Sequence, residues 1–555
     1  MLGVACDNDS KRGTDMDGNV TIDTSFARLM STTMRLGRVV AANGAQAVIV
    51  LDVADAAASS PSLQIGSLVR IPTAQSVVYA LVNGLAIPMP KALGEAELRM
   101  VELELLGECL VNAQLGQGPF QRGVSMSPGL GDSVYAATSD DLVRVYARPG
   151  TSSVKIGAIH QDPSLPALIS VDDLLGKHFA VLGTTGAGKS CAIALMLRAI
   201  LSRHASGHVL LLDLHNEYSP VFGDSAEVLT PETLELPYWL LTFDELVEVV
   251  VGQRVPEREP DIGILNECVL AAKRMWGDQK DRTVTVDMPV PYRLGDLTKL
   301  IDEAVGRLER ANDTSPYLRL KNRLTRLQND RRYGFMFPGL SIKDNMAAIL
   351  SRLFRIPVQG KPVTIVDLSS VPSEILNVVV SVICRMTFDF ALWSEGSMPV
   401  LLICEEAHRY VPNDQSQGFE PTKKILSRIA KEGRKYGISL GVVSQRPSEL
   451  SMSILSQCNT IFALRLSSQK DQDFVRGAMA ESALGLLDFL PSLRNGEAIA
   501  VGEGVSVPVR IAFDELLPEH QPNSRTVAFS AAWSGDSSNS SFVAEVVERW
   551  RRQRR

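Results

Sequence analysis

The sequence predicts an α/β fold, a parallel-rich sheet with a helical insertion, preceded by a small N-terminal β-barrel. Three observations predict it. The pattern Gly183-Thr-Thr-Gly-Ala-Gly-Lys-Ser190 stands between an apolar run at 179–182 and a helix-like stretch from Cys191 to Leu201, the strand-loop-helix setting that a phosphate-binding loop GxxxxGK[ST] requires. Strand-like and helix-like segments alternate from there on, as in a sheet covered on both faces. Before residue 150 the chain instead shows short apolar runs with glycine punctuation, at the spacing of a barrel.

A chain of 555 residues is too long for one ordinary core, so two or more domains are expected. A hydrophobic content of 45% with 21% charged residues is that of a soluble globular protein. We find no apolar run of the length needed to cross a bilayer, and the polar start Cys6-Asp-Asn-Asp-Ser-Lys-Arg12 is not a signal peptide. A cytoplasmic protein without a membrane partner is expected. The seven cysteines show no CxxC spacing, and Cys191 and Cys404 fall in apolar stretches, which points to buried free thiols. A net charge of −7 excludes a protein coated in basic surface but not a locally positive channel.

In chain order, residues 1–30 are polar and without period and read as a mobile N-terminal arm. Residues 31–150 make the barrel, with strands at 37–40, 47–51, 67–71, 77–81 and 98–105, then Phe120-Gln-Arg-Gly123 and Gly131-Asp132. It contains no catalytic constellation and reads as a docking module. The core begins at 151–242, with 155–166 as a connecting segment, a strand to Leu182, a helix to Arg203 and a strand at 209–213. Residues 243–345 are helical and charged, an insertion whose basic helix at 318–327 reads more as a solvated face than as a nucleic-acid site. Residues 346–520 return to sheet logic, with strands at 363–368, 399–404, 438–443 and 460–464, a pair near Ala498 and Val507, and a long apolar helix at 374–393. Residues 521–555 are a Ser- and Asn-rich linker and a short basic amphipathic helix.

The chemistry gathers around the loop. Glycines let backbone N–H groups curl toward phosphate oxygens, and a helix N-terminus adds positive potential. Gly183, Thr184, Thr185, Gly186, Ala187 and Gly188 form the cradle, with Cys191 at its helical end. Lys189 is expected on the β- and γ-phosphates and Ser190 on Mg²⁺. Glu405 and Glu406 end the apolar run 401–404, the second half of an NTPase site, with Glu405 on the metal side and Glu406 as base for the attacking water. His408 reads either as a relay of the γ-phosphate or as a structural hydrogen-bonding group. Asp213 and Glu217 follow another buried strand, where carboxylates face the ligand crevice or cap the loop. Gln445, after the strand at 438–443, is placed to sense the γ-phosphate. Arg434 ends a helix, either as a finger reaching a neighbouring subunit or as a cation complementing the helix C-terminus. No Asn-Lys dipeptide occurs, so the guanine-reading NKxD element is missing and ATP is expected over GTP.

These motifs together resemble the HerA family of hexameric ATPases, relatives of FtsK-type DNA translocases. The match rests on Phe120-Gln-Arg-Gly, Gly131-Asp, Lys177-His178 before the phosphate loop, Asp213-Leu-His-Asn-Glu-Tyr218, Glu405-Glu-Ala-His408, Glu432-Gly-Arg-Lys-Tyr-Gly437 and Ser444-Gln-Arg-Pro447, and it spans residues 35 to 515. The resemblance implies an HAS-type barrel, a RecA-like P-loop NTPase core with a helical insertion, and a homohexamer around a double-stranded DNA channel. It favours Arg434 as the finger and makes Lys177 a second candidate acting across the subunit boundary. Glu405 departs from the Asp common in that slot, which weakens its metal role relative to Glu406. Family members pair with NurA-type nucleases or antiviral effectors, here expected on the barrel face, since no nuclease centre is visible in the chain. Two readings follow. One is an ATP-driven double-stranded DNA translocase or helicase working with an effector enzyme. The other is an ATP-regulated ring scaffold that activates such a partner without sustained translocation.

Overall fold

Apolar residues between positions 35 and 136 close a sheet on itself. The strands are β1 (Arg35–Ala42), β2 (Gln46–Leu51), β3 (Leu68–Pro72), β4 (Ser76–Ala86), β5 (Met100–Asn112) and β8 (Ser133–Ala136), with short β6 (Gly116–Gln117) and β7 (Gln121–Arg122) beside β5. Their order is β2-β1-β8-β3-β4-β5, and β5 pairs back to β2, which leaves the barrel wall without an open edge. Val39, Ile49, Val69, Ile71, Val78, Val101, Leu103 and Val134 fill its core. The chain is represented by a computed structural model that describes residues 34–552 apart from 53–62, 88–97, 113–115, 148–151, 253–255, 277–282, 307–312, 338–341, 415, 480–483, 524–528 and 535–539. The expected arm at 1–30 and the last residues of the basic tail lie outside the described residues.

The second sheet has eleven strands: β9 (Ser153–Ile159), β10 (Pro166–Ser170), β11 (His178–Leu182), β12 (Val209–Asp213), β13 (Ala226–Leu229), β14 (Val363–Asp367), β15 (Val400–Cys404), β16 (Ile438–Ser444), β17 (Cys458–Leu464), β18 (Glu497–Gly502) and β19 (Val509–Phe513). The run β17-β11-β16-β15-β12-β14-β13 is parallel. Strands β18, β19, β9 and β10 extend it antiparallel. Every residue of β11, β12, β14, β15 and β16 is buried, which is why these strands read as continuous apolar runs rather than alternating ones.

Three expectations need correction. Residues 155–166 do not merely connect, because β9 and β10 form an antiparallel pair at the sheet edge and β9 also pairs β19. A Cβ on Gly157, in the middle of β9, would lie 2.0 Å from the Ala512 carbonyl oxygen, so the strand needs a residue without a side chain there and its apolar signal is broken. A helix long and apolar enough to cross a membrane does exist, Ser373–Trp393. Its Val378, Val379, Val382, Ile383 and Phe388 are packed in the core, as suits a helix covering an apolar sheet face. Among the described cysteines Cys109, Cys268, Cys384, Cys404 and Cys458 are buried free thiols, but Cys191 is exposed.

The region after Thr242 supplies helices Phe243–Val250, Glu259–Arg274, Leu294–Gly306 and Ser315–Asn329. Three cations of the basic helix, Ser315–Asn329, are bound inside the insertion. Arg319 grips Asp261 through two hydrogen bonds of 2.6 and 3.1 Å, Lys321 pairs with Asp302 at 2.7 Å, and Arg323 donates to the Val249 carbonyl. Near the C-terminus, helix Phe529–Ser534 falls within the stretch expected as a linker, followed by Ser540–Arg552. The barrel is fastened to the large sheet by Arg122, whose Nε donates to the Ser506 carbonyl at 2.6 Å and whose Nη2 donates to the carbonyls of Gly502, at 2.7 Å, and Val505.

Glu104 on β5 is a buried carboxyl that burial pushes up to about 7. The fold therefore favours its protonated form. That contribution is complete below about pH 4.5, the ordinary carboxyl value, and is lost as pH rises toward about 7. Glu104→Gln is expected to leave thermal stability unchanged at about pH 4 and to raise it by about 1–2 kcal/mol at about pH 8, partial solvation reducing what the shift alone would give. Melting curves at the two pH values check this.

Candidate active site

The site lies where β11, β15, β16, β17 and β12 end, at the carboxyl edge of the parallel run, the place where open α/β sheets bind ligands. The loop leaving β11 turns through Gly186 and Gly188 at φ of 76° and 104°, backbone that L side chains rarely adopt. At Gly183 a Cβ would come within 2.8 Å of the Leu464 Cβ. Helix Lys189–Arg203 then starts with no side-chain cap on its first turn, so the positive helix end faces the loop. The loop is held from β16 and β17: Gly183 N–H donates to the Ser444 carbonyl (3.2 Å), and the Thr184 N–H and Oγ1 both donate to the Arg465 carbonyl (2.9 and 3.1 Å).

Around that cradle the expected side chains converge. Lys189 Nζ donates to the Thr184 carbonyl at 3.1 Å, and Ser190 Oγ donates to Glu217 Oε2 at 2.6 Å. Thr185 Oγ1 donates to Gln445 Oε1 at 2.5 Å, which puts the Gln445 amide on the phosphate loop, and the backbone of Gln445 bonds the Glu406 carboxylate. Glu405 and Glu406 are 3% and 5% exposed. Glu405 accepts from Tyr218 Oη at 3.2 Å, while Glu405 Oε2 and Glu406 Oε2 are buried without a hydrogen-bond partner. Burial pushes the Glu405 carboxyl well above its ordinary range, reinforced by Asp213, Glu217 and Glu406. Burial also raises Glu406, opposed by Lys189 and His215, the direction that suits a general base working near neutral pH. Burial lowers the Lys189 ammonium against the pull of the same carboxylates.

Other expected residues take different positions. Asp213 caps its loop: its two oxygens accept the His215 and Tyr218 N–H groups at 3.1 and 3.0 Å, and it is Glu217 that reaches the serine. His408 Nδ1 lies 3.1 Å from Ser444 Oγ and 3.3 Å from Glu406 Oε2. Burial takes its pKa down to about 4, so it meets Glu406 as a neutral imidazole and not as an ion pair. Cys191 is exposed beside Ser190. Arg434 and Lys177 stand at the opposite, amino edge. Arg434 is exposed in the turn Gly433–Tyr436 that enters β16, and Lys177 precedes β11 and pairs with Glu503. Seven residues of β16 separate Arg434 from the loop, about 20 Å at the rise of a strand, so neither cation touches its own phosphate loop. Arg465 and Gly496, whose N–H donates to the Ala187 carbonyl at 3.2 Å, also hold the loop. No residue type marks either, since the pairing of β17 with β11 brings Arg465 there and the pairing of β18 with β17 brings Gly496.

A phosphate loop at the end of a buried parallel strand, with two buried carboxylates directly after another strand of the same sheet, defines a P-loop NTPase. Residues 154–387 match the family described as Helicase HerA, central domain. The DNA double-strand break repair helicase HerA of Pyrococcus furiosus is 27% identical over 540 residues, covering 86% of this chain and 88% of that protein. The protein of the same description from Sulfolobus acidocaldarius is 25% identical over 398 residues, 70% of this chain and 74% of its own. Among solved structures, VirB4 of Thermoanaerobacter pseudethanolicus shares the fold with a TM-score of 0.50 at 14% identity, covering 68% of this chain and all of that one. The chain is thus similar to the HerA helicase family over residues 154–387 and to curated HerA helicases over most of its length.

Glu406 has φ 50° and ψ 43°, a left-handed conformation costing a side chain about 1–2 kcal/mol. Glu406→Gly is expected to abolish hydrolysis while holding or raising the apparent melting midpoint of the nucleotide-free protein. A clear drop in that midpoint shows that Glu406 carries no such strain.

Proposed function

We propose that this chain forms a homohexameric ring that hydrolyses ATP to move along or unwind double-stranded DNA, with an effector enzyme docked on the barrel face. The observation that carries it is the placement of Arg434 and Lys177 at one edge of the sheet and the phosphate loop at the other. A cation at the amino edge meets a phosphate loop only by packing against another copy head-to-tail, and such contacts close into rings when the rotation allows. Curated relatives named as DNA double-strand break repair helicases support DNA as the track. ATP is favoured over GTP because the guanine-reading element is missing.

Mg²⁺ fits the donors present. No group of three or more His, Cys, Asp or Glu among the described residues forms a metal cage, which suits an ion held by one or two protein oxygens plus phosphates and water. Ser190 Oγ and the unpartnered Glu405 Oε2 are the oxygens that would hold it. When bound, the ion neutralises charge developing on the transferred phosphoryl group. Glu406 orients and deprotonates the attacking water, Lys189 leaves the Thr184 carbonyl for the phosphates, and Gln445 reports their presence to β16. A partner on the barrel is supported by the apolar surface of the β7–β8 loop, where Met126 and Leu130 are 59% and 75% exposed.

Arg434→Ala alone and Glu406→Gln alone are each expected to lower kcat by about 10³-fold or more. Mixed in equal amounts they recover part of the activity, because a ring then contains sites with an intact Glu406 facing an intact Arg434. A well-mixed ring that stays inactive, measured by phosphate release, removes Arg434 from the neighbour's site.

A further inference from the structure

Helix Glu420–Glu432 joins the two ends of the machine. Its amino end follows the loop from Glu405 and Glu406, and its carboxyl end runs into the turn that bears Arg434. Its outer face lines an open groove of about 670 Å³, walled on the other side by Asn413, Ser451 and Ser453. The acidic groups of the groove are already matched. Glu420 lies 2.9 Å from Lys423 and Glu432 3.4 Å from Arg428, whose guanidinium also covers the Phe388 ring at 4.2 Å. That leaves Lys424 and Lys431, both exposed and without an ion-pair partner among the described residues. In the insertion's basic helix Arg319, Lys321 and Arg323 are bound within the fold, which leaves a single exposed cation there, Arg326, and no second one beside it on that helix.

We propose that this groove seats the phosphodiester backbone of duplex DNA, with Lys424 and Lys431 on its phosphates and the serines and Asn413 as neutral donors beside them. The proposal rests on the DNA-translocase reading and names where the track is held. Seven residues of helix place the two lysines about 10.5 Å apart, the axial rise of about three base pairs at 3.4 Å per strand phosphate. Grip of this kind is independent of base sequence, because nothing in the groove is aimed at base edges. Its position makes occupancy felt at both ends of the helix, at the Glu406 loop and at Arg434, so DNA on the groove stimulates hydrolysis.

The test uses the full chain and a labelled mixed-sequence duplex, with anisotropy read over a salt series. Lys424→Ala/Lys431→Ala is expected to weaken binding at every salt concentration and to make the log-log salt slope shallower by about 1.8, or 0.9 for each lost phosphate contact. Binding of a non-hydrolysable ATP analogue and the sedimentation profile stay as in wild type, duplex-stimulated hydrolysis falls, and Lys424→Arg/Lys431→Arg keeps the wild-type slope. A wild-type slope in the alanine variant, while wild type binds duplex, overturns the groove and leaves the translocase reading standing. An altered sedimentation profile with an unchanged slope overturns it in favour of a contact between subunits. No duplex binding by wild type overturns both.

Discussion

Burying Glu405 and Glu406 beside Lys189 is the constraint on which the carboxyl edge depends. Carboxylates removed from water resist ionisation unless something positive or hydrogen-bonding meets them. Here three glutamates, at 217, 405 and 406, share one lysine, and two of their oxygens meet no donor. Other elements make the arrangement tolerable in part. Tyr218 donates to Glu405, the Gln445 backbone bonds Glu406, and Ser190 donates to Glu217. The rest of the imbalance stays on the two carboxylate oxygens themselves, Glu405 Oε2 and Glu406 Oε2, buried without a hydrogen-bond partner. The strained backbone at Glu406 belongs to the same pattern: a left-handed glutamate persists where the surrounding strands fix its position and its carboxylate is needed at one point in space.

That site needs a rigid floor, and the parallel sheet supplies it. Strands β11, β15, β16 and β12 are buried along their whole length, so each ends at a defined level and delivers its next residues to the same edge. The register places Leu182 of β11 beside Ser444 of β16, and Cys404 of β15 beside Val442. Gln445 and Glu406 therefore arrive next to the phosphate loop, although they stand 39 positions apart in sequence. His408 lies in this setting as a neutral imidazole between Glu406 and Ser444, 3.3 Å from the one and 3.1 Å from the other.

The sequence made legible what is carried by local pattern and hid what is carried by pairing. The phosphate loop, the acidic pair after 401–404 and the buried strands stand out, because buried parallel strands are apolar at every position and the loop has a fixed spelling. Glu217 was visible as a carboxylate after a strand, but its partner Ser190 was not. Asp213 and Glu217 look alike in sequence, and only the hydrogen bonds separate the residue that caps the loop from the one that faces the serine. Arg465 and Gly496 contribute backbone atoms rather than side-chain chemistry, so no residue type marks them. The β9–β10 pair was missed because Gly157 interrupts the apolar run where another backbone passes against it. The helix Ser373–Trp393 shows the converse, a composition suited to lipid that the fold uses to cover a sheet.

The amino edge is organised by one loop, residues 502–506, and its contacts explain how the barrel bears on the motor. Arg122 of β7 holds this loop by three carbonyls, and Glu503 within it meets Lys177 at the start of β11 and accepts from Asn459 Nδ2 at the start of β17 at 3.1 Å. There is little room for the loop to slide independently: a Cβ on Gly502 would lie 1.9 Å from the Asn459 carbonyl oxygen, and one on Gly504 2.9 Å from Thr460 Oγ1. The barrel is thus in contact, through this loop, with the first residues of β11 and β17, the two strands whose far ends hold the phosphate loop. The Phe120-Gln-Arg-Gly stretch supplies, through Arg122, the hydrogen bonds that tie the barrel to this loop of the large sheet, and it is by way of this loop that the barrel meets the strands bearing the phosphate loop.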